Sequence, residues 1–129
     1  DSPLKVCALF DMPTSEVPFI ERQVLRIARL RSGEMLPAAS VCYVWDAHLP
    51  PGTVLDNAFT RRLRMVVLRG PEAGLRTWYT EQRDVWADFQ RLFADEARGL
   101  PPLVGIAIAG DADNTLGRSL GYVGSMRLD

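Results

Sequence analysis

Hydrophobic and polar positions change their spacing several times along the chain, and each change predicts an element. Leu4 to Phe10, Ala39 to Trp45 and Leu103 to Ala109 are short apolar runs and predict strands. "RLRMVVLR", Arg62 to Arg69, predicts another, and after the turn "GPEAG" Leu75 to Gln82 returns as its hairpin partner. Ser119 to Leu128 alternates strictly, as a half-buried strand does. Between these, Ile20, Val24, Ile27 and Leu30 recur at helical spacing over 16–31, with Ser15 as N-cap, Pro18 in the first turn and Gly33 as the stop. Arg22, Arg26 and Arg29 form a basic stripe on another face of that helix. A second helix over 84–96 is capped by Asp84 and buries Val85, Phe89, Leu92 and Phe93. The order β-α-β-β-β-α-β-β, with turns and a hairpin, predicts a mainly β protein: an antiparallel β-sandwich with two flanking α-helices.

The 129 residues fit one domain, expected over 1–129. A net charge of −1 argues against nucleic acid as a partner. No apolar run reaches the roughly 20 residues of a membrane span. Cys7 and Cys42 lie inside apolar strand-like runs, where buried thiols are the expectation and a disulfide between neighbouring strands the alternative. Without a C-x-x-C motif or Cys/His cluster, zinc is not expected.

Three stretches carry candidate chemistry. "GDADNTLG" sets Asp111, Asp113, Asn114 and Thr115 between two strands. Such residues build turns through their own side chains. They also offer the oxygens of a calcium site, with Asp111 and Asp113 as ligands, although an EF-hand's spacing and closing Glu are missing. "YVWDAHLPPG" puts Trp45 beside Asp46 at a strand end; a ring that stacks on sugar faces next to a carboxylate that accepts hydroxyls suits carbohydrate. Packing of Trp45 in the core and solvation of the lone His48 are the plainer alternatives. In "YTEQRDVWADF", Glu81 and Arg83 lie two apart and are expected to pair with each other or with Asp111, either bracing a sheet or lining a polar groove. Asp113 and Asn114 are expected to share one polar surface with Asp46 and Glu81. No catalytic residue is assigned, since no serine or cysteine nucleophile has an evident base and G-x-S-x-G is absent.

"YVWD", "PGTVLDNAFTRRLRMVVLR", "WYTEQRDVWADFQRLF" and "GIAIAGDADNTLGRSLGYVG" together resemble a bacterial family known as domain of unknown function 3047. The resemblance covers most of the chain and implies the C-terminal part of a domain longer at its N-terminus. The closing segment also resembles the last strands of jelly-roll carbohydrate-binding modules, which implies a jelly-roll-like sandwich. The expected function is a non-catalytic module that binds carbohydrate or another polar small ligand, without a cofactor unless calcium is one. The alternatives are a glycan-active enzyme using a carboxylate pair, and a protein-interaction domain. A homo-oligomer is expected, in the periplasm or secreted rather than cytoplasmic.

Overall fold

A computed structural model describes residues 2–57, 60–112 and 115–129, with the side chain of Ser2 excepted. Along the chain come β1 (Ser2–Phe10), a single 3₁₀ turn (Thr14–Glu16), α1 (Phe19–Ser32), β2 (Ala39–Trp45), β3 (Val54–Asp56), β4 (Leu63–Arg69), α2 (Val85–Leu92) and β5 (Leu103–Asp111). The five strands form one mixed sheet in the order β3-β4-β2-β1-β5. β1 pairs antiparallel with β2 and β5, and β3 antiparallel with β4, while β2 and β4 are parallel. The protein is thus mainly β, with two helices.

The apolar runs explain the centre of the sheet. β2 is buried from Ala39 to Val44, as a strand covered on both faces must be. On one face, Ala8, Phe10, Val41, Tyr43 and Val66 meet Leu25 of α1 and Phe89 and Leu92 of α2 in a single core, which Phe93 extends. Phe89 stacks on Phe93 at 5.2 Å and packs against Phe10 at 4.8 Å.

The helix ends follow local chemistry. Gly33 takes φ 69°, and its N–H donates to the Arg29 carbonyl, closing α1. α1 begins at Phe19, with Pro18 rather than Ser15 at its N-cap. Asp84 caps α2 as expected, accepting from the Ala87 N–H at 3.0 Å. Replacing Asp84 with alanine should cost about 1 kcal/mol, read as a lower urea midpoint with an unchanged slope.

Several expectations need correction. The antiparallel sandwich rested on six strands. Two of them, at 75–82 and 119–128, have no regular secondary structure, and the described strands lie in one sheet with a parallel pair. Local bonds explain 75–82: Arg76 has φ 56°, the Gly74 N–H donates to the Tyr79 hydroxyl, and Thr77 donates to the Leu75 carbonyl. Such contacts compete with a ladder. In 119–128 the alternation is present, yet Leu120, Tyr122, Met126 and Leu128 are all exposed and no strand pairs with the segment. The apolar stripe of α1 also faces outward, leaving Leu25 as its one buried residue. Finally, the cysteines are not thiols. Cys7 and Cys42 sit opposite one another in the β1–β2 register and form a disulfide.

Candidate functional site

β2, β4 and β5 all run the same way, so Trp45, Arg69 and Asp111 close the same end of the sheet. Trp45 and Arg69 are register partners on neighbouring strands. The segment after β4 folds back over this pair. Tyr79 meets Trp45 edge to face at 5.4 Å, and the Arg69 guanidinium lies 4.2 Å from the Tyr79 ring. Arg69 Nε donates to Glu81 Oε1 at 2.6 Å, and both side chains are about one-third exposed. Next to Tyr79, Trp78 is 71% exposed, and its ring lies 6.4 Å from that of Tyr122, itself 68% exposed. Two clusters therefore meet in the chain at Trp78 and Tyr79: a pair of open rings, and a pair of half-covered rings with an accessible ion pair.

The other flagged residues take different roles. Asp46 braces its loop: Oδ1 accepts from the His48 and Leu49 N–H groups at 2.7 and 2.8 Å, in the manner of an Asx turn. Glu81 and Arg83 do not pair with each other. Arg83 donates instead to Asp88, at 2.8 Å to Oδ1 and 3.0 Å to Oδ2. Asp88 is buried and also accepts from the Tyr43 hydroxyl at 2.6 Å. Burial, with the Asp88 carboxylate next in importance, pushes the Tyr43 hydroxyl well above the ordinary tyrosine range. The hydrogen bond to Asp88 likewise raises the Arg83 guanidinium. This trio ties α2 to β2. Asp111 pairs with Ser2 at the end of β5. Thr115 is exposed and donates to the Ala112 carbonyl at 3.3 Å, within a turn. Asp113 and Asn114 lie outside the described residues.

Arg69, Trp78, Tyr79 and Tyr122 were not singled out from the sequence. The adjacent rings of "WYTE" were a signal, hidden by the strand reading of 75–82. Among the described residues no group of three or more His, Cys, Asp or Glu side chains is placed to hold a metal ion.

At the opposite end of the sheet, Arg62 and Arg64 lie buried beneath Asp95 and Glu96. A groove of about 500 Å³ runs past this network, lined in part by Ser15, Glu16, Arg22, Asp95, Glu96 and Arg98. Of its charged groups, Asp95 and Glu96 are already paired with the buried Arg62 and Arg64.

Comparison with curated proteins finds no match, and comparison with solved structures finds none either. Comparison with protein families matches residues 1–127 to the family described as "Protein of unknown function (DUF3047)". With nearly its whole length matched, the chain belongs to the DUF3047 family.

Proposed function

We propose that this protein is a non-catalytic module that binds carbohydrate or a similar polyhydroxylated ligand at the carboxyl ends of β2 and β4. The observation that carries this is the exposed pair Trp78 and Tyr122, 6.4 Å apart, with Trp78 next in the chain to Tyr79, which packs on Arg69 of the Arg69–Glu81 ion pair. Sugars offer apolar ring faces that stack on aromatic rings and hydroxyls that exchange hydrogen bonds with charged head groups. Trp78, Tyr79 and Glu81 bring both kinds of group into one short segment. A glycan-active enzyme would need two carboxylates facing a gap. Here Asp46 accepts from two backbone N–H groups and Glu81 from Arg69, which favours binding over hydrolysis.

Further parts of the proposal rest on single features. The Cys7–Cys42 disulfide supports a periplasmic or secreted location, because disulfides persist in oxidising compartments. β5 is an edge strand with Val104, Ile106 and Ile108 exposed, which supports a homo-oligomer built on that edge. The unit itself is proposed to be the C-terminal part of the family domain.

A binding ligand at a hundredfold its Kd stabilises by about 2.7 kcal/mol, a rise of several degrees in Tm for a domain of this size. A panel of glycans, with and without calcium, should therefore contain one that raises the wild-type midpoint. Trp78→Ala should abolish that rise while changing unliganded stability by only about 0.5 kcal/mol, because the ring is exposed. A panel that leaves the wild-type midpoint unmoved counts against the site.

A further inference from the structure

α1 turns its apolar side away from the protein. Phe19, Ile20, Val24, Ile27 and Leu30 are all more than half exposed, and helical spacing places them on one face. Leu25 alone of the helix enters the core, and the rest of the inward side is polar. Glu21 reaches Arg62, Arg22 donates to the Val17 and Ser15 carbonyls, and Arg29 donates to the Leu36 carbonyl. A surface helix of a globular protein is ordinarily arranged the other way round. A continuous outward stripe of this kind marks an interaction surface.

The charge of the helix says what covers it. α1 carries Arg22, Arg26, Arg29 and Arg31 against Glu21 alone. Arg26 and Arg31 are exposed, Arg26 at one border of the apolar stripe and Arg31 at its C-terminal end. A groove of about 610 Å³ follows the helix, where Leu25, Leu30 and Met35 lie beside Arg22, Arg26 and Arg29. An anionic bilayer has the two things this face lacks: an acyl boundary for Phe19, Ile20, Val24, Ile27 and Leu30, and anionic headgroups for Arg26 and Arg31.

We propose that α1 is an interfacial helix that docks the protein onto the surface of an anionic membrane, lying in its plane. Its 14 residues are too few to span a bilayer, and among the described residues no helix is long and apolar enough to cross one. The face shares no residue with the aromatic site, so the two proposals stand or fall separately.

The test is co-sedimentation of the whole chain with vesicles of phosphatidylcholine alone, or with about 30% phosphatidylglycerol, at low and high salt. The wild type should bind the anionic vesicles at least about tenfold more strongly than the neutral ones, and salt should weaken that binding. The double variant Ile27→Glu, Leu30→Glu should lose it. The double variant Arg26→Ala, Arg31→Ala should weaken it about tenfold. These side chains are exposed, so circular dichroism and the thermal midpoint should show both variants folded. Failure of the wild type to bind anionic vesicles overturns the proposal, and so does wild-type binding by folded variants. A dimer in light scattering that Ile27→Glu, Leu30→Glu dissolves, without vesicle binding, overturns it in favour of a second copy.

Discussion

Glu96→Gln is expected to lower the free energy of unfolding by about 3–5 kcal/mol. The Glu96 side chain is 3% exposed and sits between two buried guanidiniums. It accepts from Arg62 at 2.6 Å and also pairs with Arg64. Arg62 additionally reaches the Ala38 carbonyl and Glu21, but its Nε is buried without a partner. Arg64 lies over the Phe93 ring at 4.2 Å and is held by Asp95 and the Leu92 carbonyl. Removing the Glu96 charge leaves two cations away from water with too few acceptors, and an unpaired buried charge is far costlier than an intact pair is stabilising. Urea unfolding measures the loss; a change under about 1 kcal/mol would show that water or rearrangement solvates the arginines. The same network sets an acid limb. The hydrogen bond from Arg64 holds the Asp95 carboxyl below the usual carboxylate range, with the Arg64 charge acting in the same direction and partial burial opposing it. A carboxyl with a lowered folded pKa stabilises above its unfolded pKa, and that stability fades as pH falls through the folded value. Asp95→Asn should therefore flatten the loss of stability below the ordinary aspartate pKa of about 3.9.

Replacing both cysteines by alanine should cost about 4 kcal/mol. The Cys7–Cys42 bond closes a loop with a sequence separation of 35, and chain entropy alone assigns a loop of that length about this much. The loop contains all of α1, so the cross-link holds the β1–β2 pairing together across the helix that connects the strands. Denatured, unreduced protein should show no thiol to a colorimetric reagent, and two after reduction. Two thiols without reductant would contradict the bond.

The elements were legible in the sequence where local pattern decides them. The apolar runs of β1, β2, β4 and β5 and the Asp84 cap need no knowledge of distant residues. The position of α1 was legible as well, from its spacing and Gly33. Its orientation was not, because periodicity shows which residues share a face and not which face turns inward. Three-residue β3 carries too little pattern to detect. The parallel pairing of β2 with β4, and the register that sets Cys7 against Cys42, are non-local choices. The candidate site divides in the same way. Trp45, Asp46, Glu81 and Arg83 were recognisable as chemistry-bearing groups. Their partners were not, because Arg69 and Asp88 reach them from β4 and α2.

The claim that the aromatic cluster binds a polyhydroxylated ligand is tested most directly by the indole N–H signals of the three tryptophans. Trp78 is open, Trp45 packs on Tyr79 within the site, and Trp86 packs into the core against Phe10. In a ¹⁵N-correlated NMR titration with the glycan that raises the thermal midpoint, the Trp78 signal should move most, Trp45 should follow, and Trp86 should stay in place. Movement of Trp86 with Trp78 unmoved, or no movement of Trp78 at saturation, would contradict the assignment of the site.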